Sequence, residues 1–288
     1  MQARGRVAQA LLPAAQALLP AQGRLPGPWR ETIGSVVKER IRRWLSSAGY
    51  VVFNTRATEC YARDSLFTAN SHHFQDDANF RAAYARGVKA ANGADPHMQW
   101  RMHVALWAAG AAARLAGDFV ECGVNAGFAS SAIMQRLNWG AIGKRFYLID
   151  TFSGPVLKQY SREELARGRG SIAEQAIAKG AYVTDLERVR ANYQEWPNVE
   201  IVQGVVPDIL PQPGIGRVAF LHIDMNCAYP ERAALEYFWD KLTPGAMVLF
   251  DDYAYFGNEA LAKAIDAAAA GLDTEVLSLP TGQGLIVR

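Results

Sequence analysis

Three aspartates in the second half of the chain stand where strands of a parallel sheet would end. Asp224 follows the apolar run Val218–Ile223, and Asp251 with Asp252 follows the apolar run Ala246–Phe250. Because neighbouring parallel strands end at the same edge of a sheet, we expect these carboxylates to converge. Carboxylates held close together repel one another unless a cation or bound protons relieve the charge. The sequence therefore predicts a cation site or a proton-accepting site at this edge.

Oxygen ligands alone favour a hard ion such as magnesium or calcium over zinc. An alcohol has a pKa on the order of 15 and is a poor nucleophile, and a metal ion lowers the pKa of a bound oxygen by several units. Such an ion would also hold an acceptor oxygen in line with a reacting group. Two other interpretations stay open: Asp251 or Asp252 caps the turn that follows it, and Asp224 is then a general base without any metal.

A glycine-containing loop after an earlier strand predicts a nucleoside-binding turn. It reads Glu-Cys-Gly-Val-Asn-Ala-Gly over residues 121–127, and Asp150 ends the next strand. A dinucleotide site needs Gly-x-Gly-x-x-Gly, because the pyrophosphate comes close to the backbone. Here Asn125 replaces the middle glycine and Phe128 follows Gly127, so a cofactor without phosphates, S-adenosylmethionine, fits the loop better. Asp150 would accept hydrogen bonds from both ribose hydroxyls.

The elements that must position these residues follow from the alternation of apolar runs and helical stretches after Phe119. Continuous apolar strands separated by helices indicate a parallel sheet covered on both faces. The predicted strands are Phe119–Cys122, Arg145–Ile149, Val199–Val202, Val218–Ile223 and Ala246–Phe250. The predicted helices are Ala129–Leu137, Tyr182–Tyr193, Glu231–Leu242 and Glu259–Ala270.

The end of the chain changes this pattern. Thr274–Leu279 and Leu285–Arg288 are separated by only five residues, which is too short for a parallel crossover and fits a hairpin. A parallel sheet completed by an antiparallel hairpin is the sheet pattern of class I methyltransferases. We therefore predict an α/β, Rossmann-like fold with a seven-stranded, mostly parallel sheet, a C-terminal antiparallel hairpin and an N-terminal helical cap.

The predicted boundary between cap and cofactor domain lies near residue 100. Residues 1–100 would form an arm and a helical cap, and residues 101–288 the S-adenosylmethionine-binding methyltransferase domain. Within the cap, Trp29–Leu45 has the spacing of an amphipathic helix with a basic face. It would pack on the domain or form a homo-oligomer with a second subunit, and a membrane surface is the alternative. A further helix is predicted over Trp100–Leu115.

Five histidines are weighed as bases for the acceptor. His222 lies one step inside its strand and is interpreted as a core residue. The other four fall in the cap or in the helix that follows it, and any of them could help to deprotonate an acceptor; they are His72, His73, His97 and His103.

Composition excludes several classes of protein. The 288 residues are 50% hydrophobic and 20% charged with a net charge of +2, which gives no indication of a nucleic-acid partner. Three widely separated cysteines match no zinc spacing and favour a reducing compartment. Pro13 interrupts the apolar stretch Val7–Leu19, which is shorter than the ~20 residues of a membrane span, so we expect a cytoplasmic protein. A Gly-x-x-x-x-Gly-Lys-Ser/Thr loop and a Gly-x-Ser-x-Gly elbow are both absent from the sequence, which argues against a nucleoside triphosphatase and a hydrolase.

Three motifs resemble the macrocin O-methyltransferase family, which methylates sugar hydroxyls of macrolide antibiotics and related glycosides. They are Gly-Asp-Phe-Val-Glu-Cys-Gly-Val at 117–124, Ile-Asp-Thr-Phe-Ser-Gly at 149–154, and the interval from Asp224 through Pro244-Gly245 to Asp251-Asp252-Tyr253. The resemblance covers about residues 100–255. It implies a class I methyltransferase fold, S-adenosylmethionine, and magnesium bound by the three aspartates.

The resemblance also assigns cofactor residues. It matches Glu121, Gly123, Asp150 and Ser153 to cofactor-binding positions, and Gly204 with Val205 to adenine contacts. The predicted cofactor site is completed by Asn125, Gly127, Thr151 and Asp224.

One segment departs from the family pattern. Met225 and Asn226 stand where the family commonly has Gly-Asp, and Ala228 replaces a tyrosine that appears one step later as Tyr229. An amide oxygen of Asn226 could still bind a metal, but without charge. The expected activity is metal-assisted O-methylation of a sugar, a glycan or a glycosylated natural product. The alternatives are a nicotinamide-dependent oxidoreductase on the same fold and a non-catalytic scaffold.

Overall fold

The computed structural model describes residues 38–50 and 60–288. The chain divides into two compact units, Met1–Glu59 and Cys60–Arg288. In the first unit, residues 38–47 are helical, in agreement with the C-terminal part of the helix predicted over Trp29–Leu45. The rest of that helix and the predicted arm at residues 1–30 lie outside the described residues.

The second unit is an α/β sheet domain that also contains the predicted cap from residue 60 onward. Its strands are β1 (Tyr61–Arg63), β2 (Leu66–Thr68), β3 (Asp118–Cys122), β4 (Phe146–Asp150), β5 (Val199–Gln203), β6 (Val218–Ile223), β7 (Leu242–Phe250), β8 (Leu277–Ser278) and β9 (Gly284–Val287). Its α-helices are α1 (Ala78–Ala90), α2 (Gln99–Ala112), α3 (Phe128–Leu137), α4 (Arg162–Ala166), α5 (Arg169–Ala178), α6 (Leu186–Asn192), α7 (Ala228–Phe238) and α8 (Glu259–Gly271).

The main sheet has seven strands in the order β5-β4-β3-β6-β7-β9-β8. The strands from β5 to β7 run parallel, whereas β9 pairs antiparallel with β7 and β8 pairs antiparallel with β9. The predicted mostly parallel sheet with its C-terminal antiparallel hairpin is therefore confirmed. The chain leaves β3 towards β4 and later returns to β3 through β6, so the strand order reverses between β3 and β6. Ligands of open α/β sheets bind at such a reversal.

The strands form continuous apolar runs because helices cover both faces of the sheet. On one face, Phe119 and Phe220 belong to a buried core that also includes residues of α1, α2 and α3. On the other face, Val120 and Leu221 belong to a second core with residues of α7 and α8. Adjacent residues of a strand therefore enter different cores, which fixes the register of β3 against β6.

Several boundaries differ from the prediction for reasons that lie in single residues. Helix α6 begins at Leu186 rather than Tyr182, because the Asp185 side chain accepts a hydrogen bond from the Arg188 amide and caps the helix there. Helix α7 begins three residues earlier than predicted, since Pro230 lies in its first turn, where a missing N–H is tolerated. The hairpin β1–β2 and the helices α4 and α5 were missed. Within the described residues, no helix has the length and apolar character needed to cross a bilayer.

Candidate functional site

The carboxyl ends of the parallel strands surround a cavity that is partly open to solvent. It lies at the reversal of strand order, where open α/β sheets bind their ligands. Seven of the predicted cofactor residues line it: Gly123, Asn125, Asp150, Thr151, Gly204, Val205 and Asp224. Residues that the sequence placed on four different strand ends therefore meet in one cavity.

Gly123 allows β3 and β6 to approach each other at the mouth of this cavity. Its φ is +91°, and a Cβ added there would lie 1.8 Å from the carbonyl oxygen of Asp224. Only glycine adopts this backbone conformation without strain and leaves room for the neighbouring loop. The contact brings the loop after β3 directly against the aspartate that ends β6.

Asp150 holds the loop after β3 in place. Its Oδ2 accepts hydrogen bonds from the backbone amides of Val124 at 2.7 Å and Asn125 at 2.8 Å, and its Oδ1 accepts from the amide of Phe152 at 2.7 Å. Charge-assisted bonds of this length are strong. The carboxylate thus fixes the shape of the cavity wall, while its predicted hydrogen bonds to ribose hydroxyls stay a prediction.

Asn125 explains why the loop lacks the middle glycine of a dinucleotide site. Its φ is +49°, a conformation that asparagine tolerates better than most residues. The side-chain Oδ1 accepts a hydrogen bond from the amide of Val183 at 2.8 Å, and Nδ2 donates to the carbonyl of Ala181 at 3.2 Å. The side chain therefore ties the loop to the segment before α6, a bond that glycine could not make.

The other predicted cofactor residues are placed differently. Glu121 is buried beneath the loop, where its Oε1 lies 2.8 Å from Nδ1 of His222. Gly127 makes room for Tyr193, whose hydroxyl would be 1.9 Å from an added Cβ. Ser153 is exposed and donates its amide to the hydroxyl of Thr151. Neither Gly127 nor Ser153 is among the lining residues of the cavity.

A second cleft adjoins the cavity on the side of the acidic residues. Both share Gly123, Asn125 and Asp224, and the cleft continues to Glu121, His222 and Asp251. Met98, just before α2, and Met102, within α2, lie on its wall. Asp224 therefore lies between the cavity at the strand reversal and the group of acids beyond it.

That group is held together by an arginine that the sequence analysis missed. Nη1 of Arg101 lies 2.6 Å from Oδ2 of Asp251 and 3.5 Å from Oδ1 of Asp252. Its Nε and Nη2 donate to the carboxylate of Asp64 at 2.7 and 2.8 Å. The other oxygen of Asp251 accepts a hydrogen bond from the amide of Gln283 at 2.9 Å. Both oxygens of Asp251 therefore already have donors.

His222 is buried, as expected of a core residue, with only 2% of its side chain exposed. It lies between two acids: Nδ1 bonds to Glu121, and Nε2 is 3.8 Å from Oδ1 of Asp251, a charge contact rather than a hydrogen bond. Burial alone would lower the pKa of His222, but Asp251 and Glu121 raise it well above its ordinary value. His222 therefore links the cofactor strand, through Glu121, to the acidic group at Asp251.

The three aspartates differ in their affinity for protons. Burial, followed by the charges of Asp251 and Asp252, raises the pKa of Asp224 well above its ordinary value. Burial and Asp251 raise the pKa of Asp252 to about 6. Burial would also raise the pKa of Asp251, but the Arg101 guanidinium and its hydrogen-bond donors hold it well below its usual range. Burial and charge therefore favour a bound proton on Asp224 and Asp252 but not on Asp251.

The predicted magnesium ligands do not have the arrangement of a metal site. Across residues 38–50 and 60–288, His, Cys, Asp and Glu form no group of three or more that could hold a metal ion. Asp251, the central member of the predicted set, is instead paired with Arg101. The sequence did contain a signal for this, since Arg101 is a cation in the first turn of an otherwise largely apolar helix. Its partners could not be identified from the sequence.

The capping histidines are not brought to the acids. His103 stacks on Phe74 with ring centroids 4.1 Å apart, and burial lowers its pKa. His97 pairs with Asp95 at 3.2 Å. Neither these two nor His72 and His73 are among the residues that line the cavity or the adjoining cleft.

Comparison with known proteins gives a family and a fold. The model of the family described as Macrocin-O-methyltransferase (TylF) matches residues 101–277. A curated relative from Streptomyces olivaceus, the 8-demethyl-8-(2,3-dimethoxy-alpha-L-rhamnosyl)-tetracenomycin-C 4'-O-methyltransferase, is 31% identical over 145 residues. That match covers 48% of this chain and 53% of the relative, so the chain spans about half the length of the curated relative.

Two solved structures share the fold. The O-methyltransferase NovP has a TM-score of 0.58 at 17% identity, covering 76% of this chain and 99% of NovP. The calicheamicin methyltransferase CalS11 has a TM-score of 0.51 at 15% identity, covering 83% of this chain and 98% of CalS11. At this level of identity the likeness concerns the fold alone, and it confirms the predicted class I methyltransferase sheet.

Proposed function

The chain belongs to the macrocin O-methyltransferase family, and from that premise we propose that it transfers the methyl group of S-adenosylmethionine to a sugar hydroxyl of a glycosylated natural product. The observation that carries the proposal is the position of Asp224, which lines both the cavity at the strand reversal and the adjoining acidic cleft. A proton acceptor between a donor pocket and an acceptor pocket is the arrangement that O-methylation needs.

The cavity fits a nucleoside without phosphate groups better than one that carries them. Ile149, Val205 and Met225 give it apolar walls suited to a flat base. The two amides of the loop that could bind an anion, those of Val124 and Asn125, are already taken by Asp150. When bound, S-adenosylmethionine would supply an electrophilic methyl group on a sulfonium sulfur. The same features disfavour the nicotinamide-dependent alternative, whose cofactor carries a pyrophosphate.

We propose that Asp224 takes the proton of the acceptor hydroxyl. Burial and the two neighbouring aspartates raise its pKa, so this carboxylate has a greater affinity for a proton than an ordinary aspartate. Asn226 Nδ2 lies 3.3 Å from Oδ1 of Asp224 and helps to orient the carboxylate. General-base catalysis of this kind contributes about 10²- to 10⁴-fold to a rate.

Magnesium is not needed for this scheme, and no step of it uses a metal ion. The donor chemistry of Asp224, Asp251 and Asp252 suits a hard cation, but the pairing of Asp251 with Arg101 and Gln283 does not. The acceptor is inferred from the relatives, of which the one from Streptomyces olivaceus is described as acting on a rhamnosyl group. A homo-oligomer through the N-terminal helices and a cytoplasmic location stay predictions from the sequence.

The test combines binding with methyl transfer. Calorimetry with S-adenosylhomocysteine, and with NADH as the competing ligand, should show binding of the first alone. Transfer of a labelled methyl group from S-adenosylmethionine should then be followed into methyl and 4-nitrophenyl α-L-rhamnopyranosides and into glycosylated extracts. Asp224→Asn is the matched control, since it should bind the cofactor and transfer the methyl group about 10²- to 10⁴-fold more slowly.

Two results would contradict the proposal in different ways. A protein that binds NADH but not S-adenosylhomocysteine would be an oxidoreductase. A protein that binds neither ligand, although folded by circular dichroism, would be a non-catalytic scaffold.

A further inference from the structure

We propose that the guanidinium of Arg101 is the resident cation of the acidic group, and that it excludes a divalent metal ion from Asp251 and its neighbours. The consequence for catalysis rests on the proposed methyl transfer, but the exclusion of metal is a property of the folded chain alone. The proposal concerns a site where the sequence predicts magnesium.

Arg101 makes the contacts that a bridging cation would make. Its Nη1 lies 2.6 Å from Oδ2 of Asp251 and 3.5 Å from Oδ1 of Asp252. The opposite edge of the guanidinium forms a two-point contact with the carboxylate of Asp64, with Nε at 2.7 Å and Nη2 at 2.8 Å. A planar guanidinium matches carboxylates in this bidentate manner. Three carboxylates therefore share one positive group.

Arg101 is also fixed in this position by groups that do not carry charge. Only 14% of its side chain is exposed, and its Cζ lies 5.4 Å from the centre of the Tyr255 ring. Gln283 is completely buried and spans the carbonyl of Arg101 and Oδ1 of Asp251, at 3.4 and 2.9 Å. The cation, its aspartate and the amide that aligns them form one connected unit.

To bind at Asp251, a metal ion would have to break these contacts. Oδ2 of Asp251 is bonded to Arg101 and Oδ1 to Gln283, so a metal ligand at Asp251 needs at least one of these donors to leave. Arginine cannot leave as a neutral group, because its guanidinium stays protonated in proteins. Magnesium gives up its own water reluctantly and gains little from a carboxylate that is already paired.

The chemical consequence is that the site carries the permanent positive charge of Arg101 in place of a metal ion that could dissociate. Arg101 holds the carboxylate of Asp251 in place by an ion pair, and Asp251 lines the same cleft as Asp224. Arg101 is in this sense a positioning residue for the proton acceptor. Methyl transfer would then proceed without added divalent metal.

The experiment measures metal binding directly, with Mn²⁺ as the probe. Electron paramagnetic resonance of free Mn²⁺ is recorded during titration of the full chain and of Arg101→Leu. Arg114→Leu is the matched control, because Arg114 is an exposed arginine just beyond the same helix. We expect no Mn²⁺ binding by the unchanged chain or by Arg114→Leu. Without the guanidinium, the carboxylates of Asp64, Asp251 and Asp252 can turn towards a common ion. Arg101→Leu should therefore bind one Mn²⁺ per chain, and Asp251→Asn added to it should abolish that binding.

Two outcomes would overturn the proposal. The first is that the unchanged chain binds Mn²⁺ and that Asp251→Asn abolishes this binding. This result does not depend on whether any arginine variant folds. The other is a folded Arg101→Leu, or a folded Arg101→Gln if the leucine variant does not fold, that binds no Mn²⁺. Methyl transfer by the unchanged chain should also be unaffected by EDTA, and loss of activity on chelation contradicts the proposal. Absence of methyl transfer with the expected Mn²⁺ results would instead refute the proposed function alone.

Discussion

Asp150 gives a sharp test of how the loop after β3 is held. In Asp150→Asn the side chain keeps its shape but has one oxygen instead of two. If that oxygen faces the amides of Val124 and Asn125, the new NH₂ group faces the amide of Phe152, and a donor then opposes a donor. The reverse orientation is worse, because it leaves two loop amides unpaired.

The size of the effect follows from these three bonds. A hydrogen bond to a charged group contributes about 1.5–3 kcal/mol, so losing one of the three and the charge on the other two should cost about 2–4 kcal/mol. If this free-energy cost destabilises the loop conformation that binds the cofactor, S-adenosylhomocysteine should bind about 30- to 700-fold more weakly. Calorimetry measures this affinity, and thermal denaturation measures any part that appears as global instability.

A matched control lies at the other end of β3. Oδ1 of Asp118 accepts a hydrogen bond from the amide of Arg145 at 2.9 Å, so Asp118→Asn changes the same chemical group away from the cavity. It should lower the melting temperature slightly and leave cofactor affinity unchanged. An Asp150→Asn protein that binds S-adenosylhomocysteine within about threefold of the unchanged chain, a difference of only about 0.7 kcal/mol, would refute the assigned role of these bonds.

Three further changes test other parts of the site. Asp224→Asn should lower kcat by about 10²- to 10⁴-fold with little change in cofactor affinity, and a kcat close to that of the unchanged chain in steady-state assays would exclude Asp224 as the base. Gly123→Ala should abolish cofactor binding in calorimetry, because its Cβ meets the backbone of Asp224. The control is Gly143→Ala: φ is also positive there but the space around it is open, so this change should add only about 1–2 kcal/mol of backbone strain. Equal effects of the two substitutions on cofactor binding would contradict the prediction. Burial would raise the pKa of Asp95, but the hydrogen bond from the Tyr84 hydroxyl lowers it, and the net shift is downward. The ionised Asp95 therefore stabilises the fold at any pH above its unfolded pKa. That stabilisation is lost as the pH falls through the folded pKa. Asp95→Asn should therefore be less stable in urea at pH 7, with a difference that shrinks below about pH 4; a difference independent of pH would show that charge is not involved.

The central strands could be predicted because they carry their own signal. β6 is buried along its whole length. A run of six residues, five of them apolar, between polar turns is typical of a buried strand. The hairpin β1–β2 was missed because each strand has only three residues, with partly exposed side chains and no apolar alternation. Helix α4 was missed although Ser161 and Glu164 form a capping box, since its five residues are too few to show a period.

In the candidate site, too, residues that a local sequence pattern marks could be predicted, and residues defined by distant contacts could not. Gly123 and Asp150 could be predicted because a ligand site follows from their position at strand ends. Arg101 could not, because it is separated by 37 residues from Asp64, 150 from Asp251 and 182 from Gln283. Whether three acids meet a metal ion or an arginine depends on contacts between segments that no local pattern joins.

The hydrogen bonds of Asn125 have a consequence for the order in which the chain becomes functional. They join the loop after β3 to Ala181 and Val183, which are 56 and 58 residues further along the chain. A nascent chain that ends before residue 181 already contains β3, α3 and β4, but its loop lacks these two restraints. The loop gains these two restraints only when the later segment has emerged and folded back, a step with an entropic cost that grows with the length of chain enclosed. Affinity for the cofactor should therefore appear late in synthesis and report that the middle of the domain has been completed.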